Sequence, residues 1–299
     1  MLMTTRTAPA PATKPTRAAS PSPHASSNAR APAVAKADFI EGMAKGMAVL
    51  ESFDMQRQRL NATLAAERAG ITRSAARRHL LTLAHLGYLE TDGSYYWLAP
   101  KVLRFSGSYL ATSRLPRAVQ PRLNRLAAQT RESFSVAVLD GREVVIIGRS
   151  GFEWRSPGEA GPTPARLMAY GLHLGARLPA HATSTGRVML AGLSQTELKQ
   201  WIKASLVADS LPRLTMHTHT DPRQLKTLLD QVRTQDYCVA SQEHELGVHA
   251  LAVPLRDQQG RTVAALNVVT SMARLEGQAL SRELLPLLVD AARELRELL

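Results

Sequence analysis

Between Asn61 and Leu98 the sequence spells out a short helix, a tight turn, a longer helix and a hairpin, and few folds accept that order. Asn61 is a good N-cap for ATLAAERA, and Gly70 stops that helix. Ile71 and Thr72 make the turn, and Thr72 is placed to cap a second helix running through RSAARRHLLTLAHL to Gly87. Tyr88 to Glu90 and Tyr95 to Leu98 read as short strands joined around Asp92-Gly93, a strong hairpin signal. The pattern is that of a winged helix-turn-helix, with residues 60–86 as the part that reads DNA.

The chemistry of the second helix agrees. Arg73, Ser74, Arg77 and Arg78 fall close together with no carboxylate among them. Arg73 and Arg77, like Ser74 and Arg78, stand at i and i+4 and share one face, while Ala76, Leu80 and Leu83 occupy the other. Arginine serves both phosphates and the edge of guanine. Thr91 and Ser94 bound the wing tip and form the second expected DNA contact. Taken alone, RSAARRH also fits a solvated helix face; its flanking elements are what point to DNA. His79 is read as a packed aromatic, not a base contact.

Charge sharpens this. Thirty-seven Lys and Arg against twenty-five Asp and Glu leave +12, which favours a polyanionic partner, either nucleic acid or an anionic membrane surface. No run of about eighteen apolar residues exists, so no membrane span is expected. The N-terminus lacks the continuous apolar stretch of a secretory signal. Residues 1–37 are rich in Ala, Pro, Ser and Thr, with Arg6, Lys14, Arg17, Arg30 and Lys36 and no acid. Such a tail is expected to be disordered, as a basic arm for phosphates or as a solubilising leader. The one cysteine, Cys238, permits no internal disulfide and no cysteine-based zinc site, a cytoplasmic profile.

Organisation follows from the periodicities. Phe39, Ile40, Met43, Met47, Val49, Leu50 and Phe53 recur at helical spacing and open a winged helix-turn-helix domain over 38–99. A linker helix occupies 100–115, its Val102, Leu103, Phe105, Tyr109 and Leu110 forming a coupling face. From 116 to 299, hairpins mix with helices without regular βαβ alternation, so the fold class is α+β around an antiparallel sheet. Expected strands lie at 134–139, 144–147, 237–241, 251–256 and 262–269, and expected helices at 116–130, 183–191, 196–204, 222–234 and 281–298.

FIEGMAKGMAVLESF, ITRSAARRHLLTLAHLGYL and the wing, followed by VAVLDGREVVII, GARLPAHATSTGRVMLAGL, HTDPRQLKTLLDQVRTQDY and LAVPLRDQQGRTVAALNVV, resemble the IclR family of bacterial transcriptional regulators. Within it they are similar to the branch that controls aromatic-acid catabolism through the β-ketoadipate pathway. The resemblance runs from about Phe39 to Leu299. It implies a GAF-like effector domain that binds a small carboxylate and alters binding to a double-stranded operator, in a homodimer or dimer of dimers, with RNA polymerase as a further partner. In the family the ligand lies against the turn before a helix, and the matching positions here are Leu178, Ser184 and Thr185, with Ala250, Asn267 and Val269 on strands. Tyr170 is placed to close the apolar side.

The residues themselves agree that a pocket is feasible. His181, Thr183, Ser184 and Thr185 precede a helix whose N-terminal amides suit an anion, although Ser184 and Thr185 also fit a simple N-cap. Asn267 is a polar amide in an apolar strand and needs a partner, which a backbone neighbour would also provide. Two departures from the family stand out: a longer connection, GFEWRSPGEAGPTP, and His79 where a bulky apolar residue is usual. No nucleophile elbow, metal-ligand spacing or phosphate loop is found, so no enzyme, metal or cofactor is expected. The rival reading is a DNA-binding scaffold whose second domain only dimerises.

Overall fold

The structure, a computed structural model, describes residues 34–54, 57–150, 173–207, 211–271 and 278–299. The first unit comprises α1 (Glu41–Glu51), α2 (Ala62–Ala69), α3 (Arg73–His85), β1 (Leu89–Thr91) and β2 (Tyr96–Leu98). Asn61 caps α2, its Oδ1 accepting from the amides of Thr63 and Leu64, each at 3.0 Å. Gly70 ends α2 at φ 64°, where a Cβ would be unfavourable. Thr72 Oγ1 accepts from the Ala75 amide at 3.3 Å and starts α3. Val49, Leu60, Ala76, Leu80 and Leu89 form the centre of this small core.

Two local details depart from expectation. The hairpin loop is Asp92–Tyr95, one residue later than the connection over 91–94 that the strand runs imply. Asp92 Oδ1 accepts from the amides of Ser94 (3.0 Å) and Tyr95 (2.8 Å), and that side-chain turn keeps Tyr95 in the loop, with Gly93 at φ 95°. The apolar run 39–53 also does not act as one face. Val49 and Phe53, one turn apart, enter the core, whereas Phe39, Ile40, Met43 and Met47 lie on another stripe and are exposed.

The expected linker helix divides into a turn of 3-10 helix at Pro100–Val102 and α4 (Leu103–Thr112). Ser113, extended at ψ 130°, separates α4 from α5 (Arg114–Thr130). The α4 helix is fastened to the first unit by Phe105, which stacks on Tyr88 with centroids 5.7 Å apart. Lys101 Nζ also donates to Leu86 O at 2.7 Å.

The second unit is built on one antiparallel sheet of β3 (Ser133–Asp140), β4 (Glu143–Arg149), β5 (Arg177–Pro179), β6 (Cys238–Ser241), β7 (Val248–Arg256) and β8 (Thr262–Ser271). The spatial order is β5-β4-β3-β8-β7-β6. Alternation assigns its two faces. Phe134, Val136, Leu251, Val253, Leu266 and Val268 point towards α5 and α9 (Gln278–Arg296). Ala137, Ala252 and Ala265 point the other way, towards α6 (Ser184–Ala191), α7 (Gln195–Val207) and α8 (Pro222–Gln235). These small residues let α6 settle onto the sheet, and every residue of α6 is buried. Gly186 is obligatory there, because a Cβ would stand 2.1 Å from the carbonyl oxygen of Ala180.

Candidate DNA-reading face and effector pocket

On α3 the structure places Arg73, Ser74, Arg77 and Arg78 together on an exposed face, with Ala76 and Leu80 buried behind them. No carboxylate among the described residues pairs with these arginines. His79 is half-buried beside α1, where a Cβ on Gly46 would lie 3.5 Å from its Nδ1. At the wing the two expected contacts part company. The Thr91 hydroxyl donates to Tyr95 O (2.8 Å) and accepts from the Gly93 amide (3.0 Å), so it is spent on folding the loop. Ser94 is exposed.

Sequence reasoning passed over Arg59. Its guanidinium sits 4.6 Å above the Trp97 ring and pairs with Asp92, which presents a cation at the base of the wing. The amides of Tyr95 and Ser94, with Arg59 assisting, hold the Asp92 carboxyl below the usual carboxylate range. The pairing spans thirty-three positions, so no local pattern announces it.

In the second unit Leu178, Ser184, Thr185, Ala250, Asn267 and Val269 line one cavity. Tyr170 lies outside the described residues, as does the longer connection over 151–164. About 470 Å³ of space lies between the walls, part of it open to solvent. The N-cap of α6 proves to be Thr183, whose Oγ1 accepts from the Gly186 amide at 3.1 Å. Ser184 and Thr185 are therefore the first residues of the helix proper, where backbone amides lack intrahelical acceptors. The Ser184 hydroxyl is fully buried and has no partner among the described residues. Asn267 is held by Ser135, directly opposite on β3, whose hydroxyl donates to Asn267 Oδ1. The partner is thus a side chain and not the backbone, and the amide nitrogen is the group left to offer a ligand.

A buried ion pair backs the cavity. Arg187 meets Glu243 through Nη1–Oε1 at 2.6 Å and a second contact, Nη2–Oε2, and its Nε donates to His181 O at 2.9 Å. His181 donates from Nε2 to Pro212 O at 3.1 Å, and burial keeps its imidazole below the ordinary range. The pair ties α6 to the β6–β7 connection, which contributes His244 and Glu245 to the wall alongside Ala182, Thr183, Ala240 and Val248. Sequence reasoning missed this connection; its signal was two titratable residues set between apolar strands. Among the described residues no group of three or more His, Cys, Asp or Glu converges as metal ligands.

Comparison with known proteins bears on both sites. The model of the IclR helix-turn-helix domain matches residues 42–93, and that of the bacterial transcriptional regulator IclR C-terminal domain matches residues 107–297. The chain is 50% identical over 262 residues to the Pca operon regulatory protein of Acinetobacter baylyi, covering 88% of this chain and 90% of that one. It is 49% identical over 261 residues to the p-hydroxybenzoate hydroxylase transcriptional activator of the same organism, covering 87% and 92%. The crystal structure of a double mutant of the PobR inducer-binding domain from Acinetobacter, in complex with 3-hydroxybenzoic acid, is similar at 44% identity. It covers 62% of this chain and 98% of that one, with a TM-score of 0.54.

Proposed function

The chain belongs to the IclR family of bacterial transcriptional regulators, and from that premise we propose a switch in which a small aromatic carboxylate in the α6 pocket sets operator binding or activation. The observation that carries this reading is the Ser184 hydroxyl, buried at the helix N-terminus without a partner among the described residues. Leaving such a group unpaired costs about 1–3 kcal/mol, and a bound carboxylate would accept from it while taking the free amides of the first turn. The activator and operon regulator to which the chain is similar, and the 3-hydroxybenzoic acid bound to the PobR domain, support an aromatic acid of this class.

On the DNA side, Arg73, Ser74, Arg77 and Arg78 enter the major groove, and Ser94 with Arg59 meets the backbone at the wing. One such unit reads one half-site, so the working form is a homodimer or a dimer of dimers. The apolar side chains left exposed at the start of α1 and on α4, among them the N-cap Ile40 (67%), Met43 (68%) and Leu103 (65%), suit burial against a second copy. The protein acts in the cytoplasm by binding rather than catalysis, and RNA polymerase is its further partner where it activates. No described helix is long and apolar enough to cross a membrane.

A thermal-shift screen of the full chain against hydroxybenzoates, benzoate and short aliphatic acids tests the switch. It is paired with operator affinity at fixed salt, with and without the acid that shifts. Stabilisation by an aromatic acid with changed operator behaviour is the expected result. No shift across the panel would leave the second domain a dimerisation scaffold.

A further inference from the structure

The wall formed by the β6–β7 connection carries the only titratable side chains among the described residues that line the pocket, His244 and Glu245. No described Lys or Arg lines it. Arg187, on the helix that opens with Ser184, is committed to Glu243 through both terminal nitrogens. Neither His244 nor Glu245 has a side-chain hydrogen bond or ion pair within the described residues. The connection presenting them is nevertheless fixed. Glu243 is pinned by Arg187, Gln242 takes a left-handed turn at φ 58°, and its Oε1 accepts from the Gly247 amide at 3.2 Å. Burial disfavours the charged form of each, holding the His244 imidazole below its ordinary range and pushing the Glu245 carboxyl up.

We propose that His244 and Glu245 select the effector, accepting a ring with one carboxylate and a hydroxyl and rejecting a ligand with a second carboxylate. The proposal rests on the effector reading of the same pocket. The first carboxylate is held by neutral donors, the Ser184 and Thr185 amides and the Ser184 hydroxyl. A second would meet the Glu245 carboxyl where no described residue supplies a cation, and two like charges in a partly desolvated site cannot both stay ionised cheaply. A ring hydroxyl instead donates to Glu245 or exchanges a hydrogen bond with the neutral imidazole. A ligand lacking it leaves both groups unpaired, which is how a site built for a hydroxyl rejects its deoxy analogue.

Calorimetric titration of the full chain separates these effects, using 3- and 4-hydroxybenzoate, benzoate, isophthalate, terephthalate, and 3- and 4-nitrobenzoate. The nitro compounds match the dicarboxylates in size but lack the second charge. The better hydroxybenzoate should bind at least about tenfold tighter than benzoate, and each dicarboxylate at least about tenfold weaker than its nitro counterpart. Glu245→Gln should raise the ratio of dicarboxylate to nitrobenzoate affinity and recover most of the dicarboxylate deficit. His244→Ala should shrink the preference for hydroxybenzoate over benzoate. Dicarboxylates that bind wild type as well as nitrobenzoates, or a Glu245→Gln variant with an unchanged ratio, would overturn the proposal while leaving the effector reading intact. If no aromatic acid binds wild type, the effector reading falls and this selection falls with it.

Discussion

Replacing Glu243 with Gln isolates what the buried ion pair contributes to the second domain. Arg187 is 2% exposed and Glu243 6%, so both charges are largely withdrawn from water. Glutamine preserves shape and one acceptor, but it removes the charge and turns an NH2 towards a guanidinium that can only donate. Arginine cannot shed its proton, so the penalty must appear as lost stability. Removing one partner of a buried pair costs about 3–5 kcal/mol. For a domain of this size each kcal/mol lowers the midpoint by about 2–4 °C, which gives a fall of about 6–20 °C. Urea denaturation followed by circular dichroism, with calorimetry for the midpoint, measures both. The decisive control is the double variant Arg187→Met with Glu243→Leu, which removes both charges and should recover most of the loss. A single variant within about 1 kcal/mol of wild type, or a double variant no better than the single, would refute the reasoning.

Three further tests address the two sites. Arg77→Ala with Arg78→Ala should abolish operator binding at physiological salt and leave effector-induced stabilisation intact; any residual binding should show a salt slope lower by about one for each phosphate the variant no longer neutralises. Binding retained at full strength would put the recognition face elsewhere. Ser184→Ala should weaken effector binding by about tenfold yet leave the unliganded protein as stable or about 1 kcal/mol more stable, because an unpaired buried hydroxyl is gone; unchanged affinity would remove Ser184 from the site. His181 and His244 are both held below their ordinary value of 6.5 by burial, so between that value and their lowered folded values the unfolded chain binds more protons. Stability should therefore be complete above about pH 6.5 and decline as pH falls through that window, seen as urea midpoints at pH 7.5 and 5.5, with a shallower decline in His244→Ala.

The first unit was legible because its signals are local. Asn61, Gly70 and Thr72 act on amides within three or four positions, and sequence spacing reports that range directly. The hairpin around Asp92-Gly93 was legible too, and its bounds moved by one residue because Asp92 accepts from the amides of Ser94 and Tyr95, which pair statistics do not weigh. In the second unit strand parity was readable, but what crosses between strands was not. The Ser135–Asn267 pair depends on register between residues 132 positions apart. The Arg187–Glu243 pair spans 56. The role of His244 and Glu245 was missed for the same reason: two titratable residues between apolar strands are a local signal, but their connection becomes pocket wall only once Arg187 pins Glu243 to α6.

These long-range contacts also lay out how the proposed switch reaches DNA. Asn267, in the cavity wall, is bonded to Ser135 on β3, and Phe134 and Val136 on the opposite face of that strand pack against Val119, Leu123 and Leu126 of α5. One residue, Ser113, joins α5 to α4, and α4 is fastened through Phe105 and Lys101 to Tyr88 and to the carbonyl of Leu86 at the end of α3. Continuity by itself transmits nothing; transmission needs an element with two arrangements that each site biases. The α4 helix has the character of such an element. None of its residues is buried within its own chain, and Leu103, Phe105 and Tyr109 are left for another surface to cover. Its direction is then decided by contacts at its ends and, in the proposed dimer, by a second copy, not by a core of its own. A hundredfold change in operator affinity requires about 2.7 kcal/mol of coupling. That is the scale of one or two hydrogen bonds gained at Asn267 and Ser184 in only one arrangement of α4, so the switch needs no refolding of either domain.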